Sequence, residues 1–281
     1  MKASIATGLV AGVALALGAC SSVPRSGGYY LDDGPHERAP ADVANIPDAV
    51  PRHEPYRAAN LKPYSVNGVS YVPLADARGY RERGVASWYG KKFHGNPTAS
   101  GEPYDMYTMT AAHRTLPLPS YVRVRNLDNG KTVVVRVNDR GPFLHNRLID
   151  LSYAAAARLD IVGRGTGVVE VEAIAPGEPS VITAKSGVSL IATAEAAQAK
   201  AAPALAVQVG AFQQYENAVN LRQRLERAGF GPIRIEPAPE AAAANRIYRV
   251  RITPVANVEH GDRLVADVAR HGIRDALLIV D

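Results

Sequence analysis

A single cysteine, Cys20, in 281 residues leaves no partner for an internal disulfide and no thiolate set for a zinc cage. The charge balance, 32 Lys+Arg against 27 Asp+Glu for a net +5, lacks the dense basic stripes of a dedicated nucleic-acid binder. Aromatic residues make up only 6%, and Trp88 is the sole tryptophan. No His-x-His pair and no carboxylate cluster with ligand spacing occurs, so no metal and no cofactor is expected. The one conspicuous apolar run, Ile5 to Leu17, is too short to span a membrane comfortably. What is present allows two modest domains: a chain of adequate length, 47% apolar, with 24 Gly and 20 Pro to supply turns and linkers. The mildly basic balance suits an anionic polymer or a membrane surface as neighbour.

The first twenty residues have the layout of an export signal: Lys2, the apolar run, then small residues up to Cys20. Leu17-Gly18-Ala19-Cys20 resembles a bacterial lipobox, which implies cleavage of residues 1–19 and a lipid on Cys20. Multiple acyl chains would give a stable membrane anchor. Ser21 after the cysteine, by analogy with lipoprotein sorting, favours the outer membrane. From residue 20 to 62 the chain is rich in Pro, Gly, Asp, Arg and Ala without periodicity, and a flexible tether is expected.

Residues 63–175 carry an ordered lead-in (YSVNGVSYVPL) and then short β-type runs: VASWYG, TMTAAH, YVRVRNL, KTVVVRVND and GVVEVEAI. NLDNG is a hairpin loop signal, and LSYAAAARLDI reads as one helix capped by Ser152, with Leu151, Ala155 and Leu159 on a face. Many short strands with one helix predict a small β-barrel. Residues 176–203 return to linker composition. Residues 204–281 then alternate strand, helix, two strands, helix, strand, a βαββαβ order. That order predicts a four-stranded antiparallel sheet with both helices on one face and the other face open to a ligand.

Three polar clusters in the barrel stand on loop-like positions: Glu102 in TASGEPYD, His113 in TAAHRTLP and Asp139 in VNDRGPF. Taken singly, each reads as readily as a turn or structural residue. The longer strings decide between these readings. GVASWYG, HGNPTASGEPYDM, TAAHRTLPLPSYVRVRNLDNG, VNDRGPF and RLIDLSYAAAARL, in this order, resemble the double-psi β-barrel of the rare lipoprotein A (RlpA) family of septal lytic transglycosylases. LAVQVGAF and YRVRI resemble a SPOR domain, a peptidoglycan-binding module of division-site proteins.

The resemblance implies Glu102, His113 and Asp139 as residues required for activity. It also implies cleavage of the MurNAc–GlcNAc β-1,4 bond with closure of a 1,6-anhydro ring, on septal glycan lacking stem peptides. One carboxyl group can serve there as acid and then as base, and Asp139 is the expected one. Such an acid needs a raised pKa, from burial or from a like charge such as Glu102, which would otherwise stabilise an oxocarbenium-like transition state. His113 is expected to orient a carboxyl or to bond the sugar. Trp88 and Tyr89 are candidates for a sugar-stacking floor, with a core role as the alternative. Arg140 is expected either to hold an acidic or lactyl group or to pair with Asp150. On the first strand of the C-terminal module Leu205, Val207, Val209 and Ala211 should face the helices. Ala206, Gln208, Gly210 and Phe212 should then lie on the open face, where Gln208, Arg249 and Arg251 are the expected glycan contacts. Two rival readings remain: a non-catalytic, expansin-like wall-binding scaffold, and hydrolysis in place of transglycosylation.

Overall fold

The computed structural model describes residues 33–36, 39–40, 42–144, 146–174, 203–238 and 246–281. The export signal, Cys20 and the linker expected at 176–203 lie outside the described residues, as does the start of the tether. From Asp42 onward the tether expectation gives way. Two short 3-10 turns, Val43–Asn45 and Ala58–Leu61, lie against the barrel, and backbone bonds fasten the stretch between them. Ala49 N–H donates to the Val134 carbonyl at 3.0 Å and Arg57 N–H to that of Leu118 at 2.9 Å. Its many prolines restrict the unfolded chain, which lowers the entropy cost of laying it down.

A two-residue Asn67-Gly68 turn, both residues at positive φ (51° and 79°), joins β1 (Tyr64–Val66) to β2 (Val69–Tyr71). This is the primed turn that matches strand twist, and glycine and asparagine tolerate it best. The barrel proper is closed by six strands in the order β3-β7-β4-β6-β5-β8. These are β3 (Arg81–Tyr89), β4 (Thr110–His113), β5 (Ser120–Asn126), β6 (Thr132–Asp139), β7 (Ile149–Ser152) and β8 (Gly167–Ala173). The pairs β3/β7 and β4/β6 are parallel and the rest antiparallel, which is the double-psi arrangement the resemblance implied. Inward valines of β5 and β6 (Val122, Val124, Val133, Val135, Val137) are almost fully sealed and fill the interior.

β7 was not expected. Leu151 belongs to this strand, and the helix α1 (Tyr153–Leu159) starts only after Ser152, whose hydroxyl accepts the Ala155 N–H at 3.2 Å. The Ser152 cap is therefore as expected, but the face containing Leu151 is not helical. Burial between β3 and β4 draws Ile149 and Leu151 into the sheet and overrides the helical spacing.

The C-terminal module comprises β9 (Leu205–Phe212), α2 (Tyr215–Arg227), β10 (Ile233–Pro237), β11 (Tyr248–Val255), α3 (Val258–Arg270) and β12 (Leu277–Val280). Its sheet runs β10-β11-β9-β12, all antiparallel. Ala218 and Leu225 of α2 and Val258 and Val268 of α3 join Val207, Val250 and Ile252 in one core, so both helices cover the same face. A register shift between Val250 and Arg251 inverts the expected phase at the end of β9: Ala211 is exposed and Phe212 packs against the core. The bulge supplies the reason, since one extra residue turns every later side chain to the other face. Gly210 sits where a Cβ would come within 2.8 Å of Leu221.

The two modules touch. Val85 and Val168 pair across β3 and β8, point outward from the barrel, and share a buried cluster with the C-terminal core. Beside them Arg147 grips Asp262 of α3 through two bonds of 3.1 and 2.7 Å.

Candidate functional site

The site grows from the end of β6. Ala111 pairs with Val137 but Ala112 pairs with Asp139, so β6 carries a bulge that skips Asn138. A bulge at a barrel rim re-aims the side chain after it. Asp139 emerges half-buried, its Oδ1 accepting the N–H groups of Ala99 (2.7 Å) and Arg140 (2.8 Å). No described residue bonds its Oδ2. Burial raises the Asp139 pKa, while the Ala99 and Arg140 N–H groups and the Arg140 charge partly oppose the rise.

Glu102 stands in the same loop as Ala99. Ser100 N–H donates to the Asn138 carbonyl at 3.1 Å, which docks that loop on β6. The Glu102 carboxylate accepts a fork from Arg136 (2.7 and 2.9 Å) and a third bond from Asn138 at 3.1 Å. These bonds, with Arg136 foremost, hold its pKa below the ordinary value. Glu102 is therefore a carboxylate at neutral pH, and its charge is met by Arg136. The like-charge role toward Asp139 does not arise, because burial drives that shift.

Sequence reasoning missed Glu54. Its carboxylate accepts Arg136 Nε at 2.9 Å and Nη2 at 2.8 Å, and the Tyr121 hydroxyl also donates to it. The Arg136 bonds lead in pushing the Glu54 pKa down to about 2. One guanidinium thus bridges two carboxylates, and Arg52 Nε adds a second cation on Glu54 at 3.3 Å. No motif marks Glu54, because the Arg136 contact closes over 82 residues of chain.

His113 does not act as expected. Only 2% exposed, it accepts the N–H groups of Thr115 (3.2 Å) and Leu116 (3.0 Å) at Nδ1. Nε2 must then carry the proton, which it donates to the Tyr80 hydroxyl 2.9 Å away, and Tyr80 donates onward to Glu82 at 2.8 Å. Both nitrogens are spent, so the ring neither orients a carboxyl nor reaches a sugar. Burial, aided by Arg114 and Arg140, drops its pKa to about 3 and keeps it neutral. What His113 fixes is the turn after β4. The carbonyls of His113 and Leu116 accept Arg140 Nη1 at 3.1 and 2.6 Å, and that of Asn60 accepts Nη2 at 2.7 Å. Arg140 therefore does not pair with Asp150; three carbonyls hold it, with Tyr64 beneath its guanidinium at 5.5 Å.

Asp150 is the second residue missed. It sits on β7 across Ala112 from Asp139, buried, with Ser87 donating to its Oδ1. Burial first, and the Asp139 charge in addition, push its pKa up to about 6. The signal was legible as an acid inside the apolar run Leu148-Ile149-Asp150-Leu151. Trp88 and Tyr89 are both buried, on opposite faces of β3: Trp88 lies in the main barrel cluster against Tyr153, and Tyr89 in a separate cluster, stacked on Tyr104 at 4.0 Å. Neither offers a face to a sugar. They are core residues.

On the open face of the C-terminal sheet, Gln208 lies between Arg251 and Leu277 in register and is half-exposed. Arg249 pairs with Ala211 and has no carboxylate partner among the described residues. Arg251 differs. It is buried, its Nη1 held by Asp281 (3.1 and 2.9 Å) and Glu236 (3.3 Å), so its charge is already committed.

Residues 81–173 match the family described as Lytic transglycolase, and residues 201–278 match the SPOR domain. A protein of Pasteurella multocida, "Endolytic peptidoglycan transglycosylase RlpA", is 38% identical over 213 residues, covering 75% of this chain and 68% of that protein. The chain belongs to the RlpA family. RlpA proteins bearing the same description in Vibrio cholerae and Pseudomonas aeruginosa are 51% and 57% identical. Those matches cover 60% and 59% of this chain, and 63% and 48% of theirs, so the chain spans about half to two thirds of these RlpA relatives. Among solved structures, the Streptomyces papain inhibitor matches at 30% identity over 33% of this chain and 93% of its own, with a TM-score of 0.27.

Proposed function

We propose that the barrel cleaves the MurNAc–GlcNAc β-1,4 bond of peptidoglycan as a lytic transglycosylase, with Asp139 as its acid and base. The observation that carries this reading is the asymmetry of the Asp139 carboxyl, whose Oδ1 is pinned by two N–H groups while Oδ2 bonds no described residue. Asp150, whose pKa burial pushes up to about 6, is sealed in the barrel, so Asp139 is the acid within reach of substrate. In the first step Oδ2–H protonates the departing glycosidic oxygen as the bond to C1 breaks. Positive charge then develops at C1 and the ring oxygen. Glu102, held as a carboxylate beside the site, provides the compensating field. In the second step the C6 hydroxyl attacks C1 and gives its proton to Oδ2, which closes the 1,6-anhydro ring and restores the acid. No water enters, so no second carboxylate is needed to activate one.

The names of the RlpA relatives support this reading, and the SPOR match supports delivery to wall glycan. Gln208 and Arg249 are the glycan contacts of that module, and Arg251 braces the sheet beside them. The finer placement rests on the lipobox resemblance and the SPOR match: a lipid-anchored envelope protein, held by Cys20 at the periplasmic face of the outer membrane, that acts on denuded septal strands.

Mass spectrometry of purified sacculi digested with the chain tests the chemistry. Anhydro ends, one water lighter than reducing ends, are expected from the native sequence and absent with Asp139→Asn, whose sacculus binding is unchanged. Reducing ends alone would mean hydrolysis; anhydro ends from Asp139→Asn would remove Asp139 from the mechanism.

A further inference from the structure

With Trp88 and Tyr89 turned into the core, the barrel's reachable aromatic surface near Asp139 is elsewhere. Tyr64 and Tyr71 are a cross-strand pair on the β1/β2 hairpin, their rings stacked with centroids 5.3 Å apart and 26° between planes. Phe143, four residues beyond Asp139, packs its ring 6.4 Å from Tyr64 and 5.6 Å from Tyr71. All three are half-exposed, and apolar side chains extend the surface: Val72 is 66% exposed and Leu144 45%. A two-stranded hairpin has no core of its own, and this one holds its aromatics at the surface rather than under the barrel. It is fastened where the site is. The Tyr64 hydroxyl donates to the Arg114 carbonyl at 2.8 Å, Leu74 N–H donates to that of Thr115 at 2.7 Å, and Arg140 lies over Tyr64.

Two guanidinium groups border this floor. Arg140 is bonded only to carbonyls, and Arg114 has no carboxylate partner among the described residues. Arg114, a cation with no bonded carboxylate beside a stacked aromatic surface, suits a ligand with flat apolar ring faces and a free carboxylate.

We propose that Tyr71 and Phe143, backed by Tyr64 between Tyr71 and Arg140, are a pyranose-stacking subsite next to the scissile bond, and that Arg114 receives the free lactyl carboxylate of a MurNAc without its stem peptide. In a peptide-bearing strand that carboxyl is an uncharged amide, so the subsite would itself discriminate denuded glycan. The proposal rests on the function proposed above and names the substrate feature the site reads.

The test uses the full chain on denuded glycan strands, after melting curves establish that each variant is folded. Tyr71→Leu and Phe143→Leu keep apolar volume but remove a ring face. Each is expected to raise KM about ten-fold, with a smaller change in kcat. Tyr71→Phe, which keeps the ring, is expected to recover the lower KM. Arg114→Gln is expected to bring the KM values for denuded and peptide-bearing strands together. Native KM in both leucine variants would overturn the floor, and an unchanged KM ratio would remove Arg114 from it. If the native chain releases no anhydro ends, the proposed function fails by itself. The floor is then decided by calorimetric titration of a denuded tetrasaccharide into the same variants, where native affinity in both leucine variants overturns it.

Discussion

His113 shows how a buried ring can shape a site without entering it. Its Nδ1 holds two N–H groups of the turn whose carbonyls seat Arg140, and the Arg140 N–H in turn pins Asp139. Its burial also has a cost that depends on pH. The folded pKa is depressed to about 3 from the ordinary 6.5, so the unfolded chain binds a proton that the folded one refuses. Stability from this source is therefore intact above pH 6.5 and is lost as pH falls toward 3. At pH 4.5 the loss is about 3 kcal/mol. Comparing melting temperatures across pH 7 to 4 for the native chain and His113→Gln checks this, since the acid-induced drop should be shallower in the variant. Equal slopes would mean that other groups dominate.

At the scale of elements, the stretch from Asp42 to Lys62 is a strap that completes the barrel. Glu54 is its tightest point, and its bonds hold the Arg136 guanidinium in the plane from which it grips Glu102. Glu54→Gln should lower unfolding free energy by about 1–3 kcal/mol, read from a denaturant midpoint. Asp48→Asn, whose partner Arg158 lies 3.4 Å away on α1, should cost less, about 0–1 kcal/mol. The C-terminal sheet offers a second contrast between neighbours that sequence treats alike. Arg249→Ala should weaken sacculus binding with an unchanged melting temperature. Arg251→Ala should lower the melting temperature instead, because it frees Glu236 and Asp281 from their shared cation. Those carboxylates are partly solvated, so the cost is about 1–2 kcal/mol rather than that of a fully buried pair.

At the scale of the whole molecule, the two modules share a seam in which outward-facing Val85 and Val168 lie under the C-terminal core and Arg147 binds Asp262. Under the proposed function, this seam is what presents a strand held by the C-terminal sheet to the site on the barrel. Asp262→Arg should part the modules through like-charge repulsion. A larger radius of gyration in small-angle scattering is expected, reversed in the double variant Arg147→Asp/Asp262→Arg. No change in the single variant would mean that the valine contact alone holds the seam.

The barrel's strands, the hairpin loop at NLDNG, the Ser152 cap and the βαββαβ order were legible in the chain because local spacing and turn chemistry encode them. Glu102 and Asp139 were singled out by the family resemblance of their loops, and folding brings those loops together around Asn138. Tertiary packing decided the rest. β7 exists because β3 and β4 flank it, and the phase of β9 turns on a bulge at its pairing with β11. Trp88 is core rather than floor because the closed barrel faces it inward, and Arg136 becomes a bridge only when Glu54 arrives from 82 residues away. Sequence pattern reports the neighbours a residue has along the chain. Burial, proton affinity and the sharing of one cation by two carboxylates depend on neighbours that only folding supplies.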